Sequence, residues 1–485
     1  MAYRDFQEFL SVLESAGELK RISQPVDPYL EITEVADRVM KQPNGGKALL
    51  FERPTAKNIP LAINVFGSYK RMSMALGVGD LEEIAEEITH LLKPEVPQGF
   101  VNSLRELLPK LGVLAKMPPR HDKGDGRCQE VVLQGSDIDL DKFPILHCWP
   151  QDGGRYITLP LVFTHDPNSG KRNVGMYRIQ VFDKRTTAMH WQMHKVGAEH
   201  ARISAEQRKL IDVAVVLGGD PALTYSATAP LPPGIDEMLF AGFLRKKPVH
   251  LVKAKTVDVE VPEDAEIVIE GKIDPLKLRR EGPFGDHTGY YSLADNYPAL
   301  EVTAITHRKN PVYPTTIVGR PPMEDLWLGK ATERLFLPLL KLTVPEVQDM
   351  NLPAEGIFHN IVFVSIKKRY PGHAFKVMHA LWGLGQAMFS KMIFVFDSEV
   401  DVQNTQECLW RLGNNIDPER DMCVVRGPID VLDHASRGLG FGSKVGFDCT
   451  RKLPAEGFQR EWPDVIEMSP EIKTKIDKIW SSLGL

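Results

Sequence analysis

The sequence predicts a mixed α and β protein made of three successive parts. Residues 1–120 combine amphipathic helix patterns with short apolar strands, residues 121–322 are mostly β-type segments between turns, and residues 323–485 alternate strands with helices. A chain of 485 residues is also too long for one ordinary hydrophobic core. We therefore expect an N-terminal α/β domain, a central sandwich or barrel and a C-terminal α/β domain.

The N-terminal part is predicted from helical spacing and two apolar runs. Apolar residues recur every three or four positions in residues 5–15, and Gly17 can end that helix. The other predicted elements are a helix at 30–40, strands at 48–51 and 61–65, and an acidic helix at 81–92. Prolines cluster between residues 94 and 119 and indicate a domain boundary near residue 120.

The rest of the chain changes from β-rich to α/β near residue 322. Strands are predicted at 131–133, 159–163, 174–182, 187–193, 213–217, 256–261, 266–270, 300–305 and 314–318. One helix interrupts them at 236–245. The C-terminal part is predicted to have helices at 324–342, 373–389, 405–412 and 469–483, and strands at 361–366, 392–396 and 423–425.

Composition and charge argue against several classes of protein. The net charge of -5 provides no basic surface for nucleic acid, and no apolar run approaches the ~18–20 residues of a membrane helix. The first residues lack the pattern of a signal peptide, so we expect a cytoplasmic protein with peripheral membrane contact at most. The five cysteines have no Cys-x-x-Cys spacing and are expected to be reduced.

The segment 281–291, EGPFGDHTGYY, is the strongest candidate for a catalytic loop. Three glycines and a proline preclude a regular helix there. Two carboxylates, a histidine and two tyrosines in eleven residues fit a functional loop, and the alternative, a solvated glycine-rich turn, stays open. A bend at the Gly-Pro pair could bring Glu281 and Asp286 around one reacting centre.

A second candidate site combines a strand with the start of a helix. Asn173 and Arg178 fall on opposite faces of a predicted strand unless Gly175 marks a bulge. Asn173, His194 and Glu237 together offer ligands that suit Mg²⁺ or Mn²⁺ better than Zn²⁺. Two alternatives stay open: Glu237 also fits an acid favoured by the helix dipole, and His194 fits a hydrogen-bonded, half-buried histidine.

These motifs resemble the UbiD decarboxylases along the whole chain. The resemblance is carried by residues 17–22 and 26–32, by NVGMYR at 173–178, by 281–291, by GRPP at 319–322 and by Asp448. It implies reversible, non-oxidative decarboxylation of an aromatic acid, and it is strongest to the 4-hydroxy-3-polyprenylbenzoate decarboxylases of ubiquinone biosynthesis. It also implies a flavin-reductase-like split β-barrel in residues 121–322 and a C-terminal domain that forms a homo-oligomer, either a dimer or a hexamer.

The resemblance also implies a cofactor and its binding residues. The cofactor is prenylated FMN, made by a separate flavin prenyltransferase and held through a divalent ion, usually Mn²⁺, with K⁺ nearby. By resemblance, Asn173, His194 and Glu237 bind the metal, and Arg178, Glu281 and Asp286 are catalytic. The residues implied to line the cofactor are Met176, Tyr177, Arg178, His190, Trp191, Gln192, Lys195, Val196 and Lys391.

Departures from the ubiquinone branch leave the substrate open. That branch has Arg-Trp-Leu and His-Arg-Gly where this chain has HWQ at 190–192 and HKV at 194–196, and residues 413–418 also differ. A naphthoate of the futalosine route to menaquinone, or another hydroxyarene acid, therefore fits as well as a polyprenylbenzoate. Two other classes remain: a flavin reductase using ordinary FMN, although the chain shows no dinucleotide fingerprint, and a non-catalytic carboxylase subunit, which should lack the catalytic trio.

The implied chemistry assigns different tasks to the three catalytic residues. Loss of CO₂ leaves charge that a cofactor must carry, so the protein supplies orientation and electrostatics. Asp286 is expected to donate the proton that replaces CO₂, with its pKa raised by burial or by the nearby Glu281. Arg178 is expected to hold Glu281 and to help orient the substrate carboxylate.

Overall fold

The fold is given by a computed structural model that describes residues 2–92, 118–191, 196–231 and 235–484. The described chain has a small N-terminal sheet, a large curled central sheet and a separate C-terminal sheet, each with helices packed on it. No helix among the described residues is long and apolar enough to span a membrane. The five cysteines are free thiols, in agreement with the expectation from their spacing.

The N-terminal layer follows the sequence pattern closely. Its helices are α1 (Phe6–Ser15), α2 (Glu31–Met40), α3 (Tyr69–Ala75) and α4 (Glu82–Leu92), and its strands are β1 (Leu19–Ile22), β2 (Ala48–Phe51) and β3 (Leu61–Ile63). Asp5 caps α1 by accepting the amide of Glu8, and the apolar stripe of α1 is buried. Helix α3 was not predicted, because two of the four residues that it buries are polar, Arg71 and Ser73.

The central domain is a curled half-barrel sheet, in agreement with the expected split barrel. Its strands and those near it are β4 (Arg120–His121), β5 (Val131–Gln134), β6 (Arg155–Ile157), β7 (Leu161–His165), β8 (Arg172–Gly175), β9 (Ile179–Val181), β10 (Thr186–Met189), β11 (Ile211–Leu217), β12 (His250–Lys253), β13 (Glu260–Pro262), β14 (Ile267–Glu281), β15 (Phe284–Gly285), β16 (Tyr291–Ser292), β17 (Asp295–His307) and β18 (Tyr313–Pro314). The helices are α5 (Val196–Gln207), α6 (Pro221–Ser226) and α7 (Glu237–Arg245).

Strand order in the central sheet explains why its sequence reads as continuous apolar runs. The order is β6-β9-β10-β17-β14-β11-β7-β8, and β5 pairs with β17. Along β11, Val213 and Val215 belong to one apolar cluster, whereas Ala214 and Val216 belong to another on the opposite face. Both faces of this strand are therefore buried, which removes the alternation of polar and apolar residues.

Two predicted strands differ from the structure in ways that shape the site. The single strand expected at 174–182 is broken into β8 and β9, which leaves residues 176–178 outside both strands. The strand expected at 266–270 continues as β14 to Glu281, paired with β17 throughout most of its length. Its outer half is exposed and charged, so the backbone ladder continues where the apolar pattern has ended.

The C-terminal domain alternates strands and helices as predicted. Its strands are β19 (Val347–Asn351), β20 (Ile361–Ile366), β21 (Met392–Asp397), β22 (Met422–Pro428) and β23 (Phe441–Asp448), in the order β19-β20-β21-β23-β22. Its helices are α8 (Glu324–Thr343), α9 (His373–Trp382), α10 (Thr405–Asn415), α11 (Pro418–Asp421) and α12 (Pro470–Asp477). Helix α12 is shorter than the predicted helix at 469–483 and lies at the surface.

Helix α8 begins at a buried carboxylate that ties the domains together. Glu324 is fully buried and accepts hydrogen bonds from the amides of Asn64 and Phe66 at 3.1 and 2.7 Å. Its Oε2 also accepts the hydroxyl of Thr316 at 2.7 Å. The start of the C-terminal domain is thereby fixed to the N-terminal sheet and to the end of the central domain.

Replacing Glu324 by Gln should lower the melting temperature. The amide nitrogen of Gln would face backbone N–H donors, and an unsatisfied buried donor costs about 1–3 kcal/mol. Differential scanning calorimetry measures the shift. The control is Glu471→Gln, an exposed acid in the first turn of α12, which should change nothing measurable. An equal melting temperature for both variants would contradict the importance of this contact.

Candidate active site

The candidate active site is formed where neighbouring strands of the central sheet end at one edge. Ile179 at the start of β9 pairs with Met189 at the end of β10, so Arg178 and His190 lie side by side. Glu281 at the end of β14 pairs with Asp295 at the start of β17, which neighbours β10. Sheet register thus brings together three side chains that are far apart in the sequence.

Arg178 joins the two carboxylates of the 281–291 loop. Its Nε and Nη2 donate to the two oxygens of Glu281 at 2.8 and 3.0 Å, which is a bidentate ion pair. Its Nη1 donates to Oδ2 of Asp286, and Nη2 also donates to the hydroxyl of Ser292 at 3.0 Å. The expected bend after Glu281 therefore does bring both acids around one centre.

His190 supports Glu281 from the other side. Its Nδ1 lies 3.1 Å from Oε2 of Glu281, and its ring packs 4.3 Å from the ring of Tyr297. Glu281 is fully buried and Asp286 is 6% exposed, so these charges interact with little screening by water.

The electrostatics of the trio differ from the expectation. Burial raises the pKa of Glu281, but hydrogen bonds from His190 and Arg178 outweigh it and lower that pKa to about 2. Burial also raises the pKa of Asp286, but the charge of Arg178 and the hydrogen bond of His287 bring it below its ordinary value. The expected raised pKa of Asp286 is therefore wrong for this arrangement: both acids are carboxylates.

The loop itself is held by residues that the sequence did not single out. A Cβ on Gly285 would lie 2.2 Å from the ring of Trp149, so only glycine fits there. Asp152 accepts the amides of Gly285 and Trp149 at 2.8 and 2.9 Å. Gln180 on β9 accepts the amide of Gly282 at 2.8 Å. No motif marks these residues, because their partners are distant in the chain.

The structure brings two of the three expected metal ligands together. Oε2 of Glu237 accepts the amide of Val174, the residue that follows Asn173, at 3.0 Å. Burial raises the pKa of Glu237 to about 7, and Nδ2 of Asn173 is buried without a hydrogen-bond partner. A divalent ion would stabilise the buried carboxylate of Glu237, and the side chain of Asn173 offers an amide oxygen as a second ligand, so this pair fits a metal site. His194 lies outside the described residues.

Several residues expected to line a flavin have buried polar atoms without partners. Among the described residues these include Nε1 of Trp191 and Nε2 of His190. Tyr177 is buried, and Met176 is half-buried against the N-terminal core. Gln192, Lys195 and the side chain of Val196 lie outside the described residues. The orphaned nitrogens fit a polar ring system bound beside them.

Lys391 lies on the C-terminal domain at the start of β21. Its Nζ pairs with Asp433 at 2.6 Å, and its amide donates to the carbonyl of Asn360 at 3.1 Å. Within the described chain, no hydrogen bond or ion pair joins Lys391 to Arg178 or its partners. The expected contact of Lys391 with the cofactor stays a prediction.

Comparison with known proteins places the chain in a family. The N-terminal, Rift-related central and C-terminal domains of 3-octaprenyl-4-hydroxybenzoate carboxy-lyase (UbiD) match residues 10–88, 120–321 and 326–449. An uncharacterised protein of Aquifex aeolicus is 56% identical over 100% of this chain and 99% of its own length. The chain belongs to the UbiD family of carboxy-lyases.

Solved structures agree with this assignment. The UbiD-class enzyme HmfF from Pelotomaculum thermopropionicum, in complex with FMN, is 31% identical, with a TM-score of 0.81 over 97% of this chain and 98% of HmfF. The vanillic acid decarboxylase of Sedimentibacter hydroxybenzoicus in its closed form is 28% identical, with a TM-score of 0.85 over 100% of this chain and 99% of that chain. The match extends across all three domains.

Replacing Arg178 by Met should destabilise the protein in a pH-dependent way. Breaking a buried ion pair costs about 3–5 kcal/mol, because the two carboxyl groups are left buried without a partner for their negative charge. In the wild type the lowered pKa of Glu281 stabilises the fold above pH ~4.5, and this contribution is lost as pH falls toward ~2. Without Arg178 both acids should protonate at higher pH. The difference in melting temperature between the wild type and the Arg178→Met variant should therefore be smaller at pH 5 than at pH 7.

Differential scanning fluorimetry across this pH range measures the difference. The control is Arg38→Met, which removes an exposed arginine paired with Glu34 and should have little effect. A constant difference between the Arg178 variant and the wild type at all pH values would contradict the electrostatic account.

Proposed function

We propose that this protein decarboxylates an aromatic hydroxy acid reversibly and without oxidation, using prenylated FMN. The observation that carries the proposal is the buried bridge from Arg178 to both Glu281 and Asp286. An arginine held between two carboxylates beside an apolar sheet edge provides charge for orientation and two groups that can exchange protons. This arrangement also argues against a non-catalytic subunit, which would not need to preserve it.

The proposed cofactor site would be formed by the metal pair and by residues next to the catalytic cluster. Asn173 and Glu237, with His194, would hold a divalent ion such as Mn²⁺, and K⁺ is proposed nearby. Trp191 and His190 would satisfy their buried nitrogens against the flavin. When bound, prenylated FMN supplies the electron sink that an aryl carboxylate needs in order to lose CO₂. A flavin prenyltransferase is the proposed supplier of the cofactor.

The protein's own residues orient the substrate and move one proton. Arg178 is fixed by Glu281, so its remaining donor edge has a set direction toward the Asp286 side. Phe284 lies under the guanidinium, 4.9 Å from ring centroid to Cζ, and excludes water from it. Asp286 is proposed to deliver the proton to the carbon that loses CO₂. A buried site favours neutral CO₂ over the charged carboxylate, and this difference in solvation favours the loss of CO₂.

The substrate is proposed to belong to quinone biosynthesis. A 4-hydroxy-3-polyprenylbenzoate of the ubiquinone route is the first candidate, and a naphthoate of the futalosine route to menaquinone is the second. Tyr290 in the catalytic loop and Leu293, which follows β16, are 60% and 86% exposed. Exposed apolar groups next to the catalytic cluster fit a substrate with an apolar extension, so the presence of a prenyl chain can be tested directly.

We also propose that the C-terminal domain forms a homo-oligomer. Strand β22 lies at the edge of its sheet with Met422 and Val424 exposed, and Phe441 of β23 is exposed beside Pro428 at the other end of β22. An open apolar edge is a ready surface for association with a second copy. Residues 1–120, 121–322 and 323–485 are the proposed limits of the three domains.

Protein purified without the flavin prenyltransferase should be folded and inactive. Adding prenylated FMN with Mn²⁺ should restore CO₂ release, because the site lies on a sheet with its own core. The assay follows CO₂ from 4-hydroxybenzoate with and without a 3-prenyl chain and from a hydroxynaphthoate. Full turnover with ordinary FMN, or NADH oxidation without CO₂ release, would overturn the proposal in favour of a flavin reductase.

Replacing Glu237 by Ala should lower bound Mn²⁺ and retained cofactor together. Glu237 would hold the ion that helps to retain the cofactor, and even changes outside the ligand set cost ~10–100-fold in metal affinity. Metal analysis and the flavin absorbance of purified protein measure the two losses. The control is Glu199→Ala, an exposed acid in the first turn of α5. If the Glu237 variant keeps stoichiometric metal and cofactor, Glu237 is not a metal ligand and only stabilises the start of α7.

A further inference from the structure

A short chain of hydrogen bonds leads from Asp286 into the C-terminal domain. Oδ1 of Asp286 lies 2.8 Å from Nδ1 of His287, whereas Oδ2 is occupied by Arg178. Nε2 of His287 lies 3.1 Å from Nε2 of His359, which follows the helical turn after β19. Two imidazoles thus extend the catalytic carboxylate across the boundary between the central and C-terminal domains.

Packing holds both imidazoles in this position. The ring of His287 stacks on Phe358 at 5.3 Å with an angle of 23° between the planes. The same ring meets the His359 ring edge-on, also at 5.3 Å. The side chain of His287 is 15% exposed, so water has limited access to it. Its Nδ1 and Nε2 therefore face fixed partners.

Only one nitrogen of the two facing Nε2 atoms can carry the shared hydrogen. A hydrogen bond at 3.1 Å between them requires one donor and one acceptor. Nδ1 of His287 must donate, because an ionised Asp286 can only accept. If His287 also donates from Nε2, it is an imidazolium and His359 is neutral. This assignment satisfies every contact of the His287 ring.

The surrounding charges favour that assignment. Burial lowers the pKa of His287, but Asp286, Asp325 and Asp430 outweigh it and raise that pKa above its ordinary value. Burial and the charge of His287 lower the pKa of His359 to about 4, despite Asp430 and Asp433. These opposite shifts of the two pKa values favour His287 over His359 as the protonated ring.

This charge distribution leaves Asp286 without the proton that decarboxylation requires. We propose that His287 stores this proton and passes it to Asp286, with His359 holding the ring in place from the C-terminal domain. The inference rests on the proposed function and deepens it. His287 is proposed to act through Asp286. Its role is to protonate Asp286 and to position its carboxyl group.

The proposed proton transfer from His287 to the product takes two steps. The Nδ1–H bond of His287 breaks and an O–H bond forms at Oδ1 of Asp286. That O–H bond breaks as the new C–H bond of the product replaces the bond to CO₂. His287 becomes a neutral imidazole that keeps its Nε2–H toward His359. One proton from water restores the imidazolium, and this is the proton that decarboxylation of a carboxylate consumes.

The first test measures the proton on His287 without any activity assay. Protein without cofactor, with ¹³C-labelled histidine rings, is titrated by NMR, and the His287→Gln spectrum identifies the His287 signal among the 14 histidines. We expect a titration midpoint above that of an ordinary histidine, ~6.5. A midpoint at or below this value would overturn the proposal, whatever the enzyme's substrate is.

The second test measures the effect on the reaction. His287→Gln retains an N–H donor for Asp286 but cannot release a proton at neutral pH. Turnover and exchange of the product's ring hydrogen with D₂O should both fall about 10²–10⁴-fold. The decline of wild-type kcat/KM above the His287 midpoint should disappear in the variant. Asp286→Asn should cause a similar loss, and the double variant should be no worse, since the two residues act in series.

The control is His250→Gln, which removes another histidine paired with an aspartate, Asp122, at 2.6 Å and remote from the loop. Its rate and pH profile should match the wild type. A His287 variant with the wild-type rate, or with a reduced rate and an unchanged pH profile, would overturn the proton role. If the wild type releases no CO₂ from any acid, the proposed function fails, while the NMR titration still decides the state of His287.

Discussion

The active-site arrangement depends on one interaction, the bridge from Arg178 to Glu281 and Asp286. Without the arginine, two buried carboxylates would lie close together and one of them would take up a proton. The bridge keeps both ionised and fixes the direction of the guanidinium. It is possible only because the sheet ends there: Arg178 lies in the break between β8 and β9, and Glu281 is the last residue of β14.

The same bridge determines where the proton is kept. Arg178 stabilises the ionised form of Asp286, so the adjacent His287 becomes the more basic of the two groups. A carboxylate paired with an imidazolium is then the resting state, and a neutral pair is the state that can protonate carbon. Because His359 belongs to the C-terminal domain, the state of the donor is linked to contact between domains.

The buried polar atoms near the sheet edge have a common explanation. Glu237, Asn173 and Trp191 each present a buried group that the described protein leaves charged at a cost or without a partner. Glu324 is also a buried acid whose pKa burial raises to about 7, but it accepts hydrogen bonds from two amides and a hydroxyl. Unpartnered polar atoms of residues beside the catalytic cluster fit a surface that is completed by a metal and a cofactor.

The sequence by itself determined most helices and strands, the three-part order and the loop at 281–291, because apolar spacing and glycine content are local properties. Resemblance of motifs added the family and the pairing of Asn173 with Glu237. Tertiary structure decided what depends on distant partners: the break after Gly175, the charged extension of β14 and the ionised state of Asp286. His287 and His359 are 72 residues apart, and only folding places their nitrogens in contact.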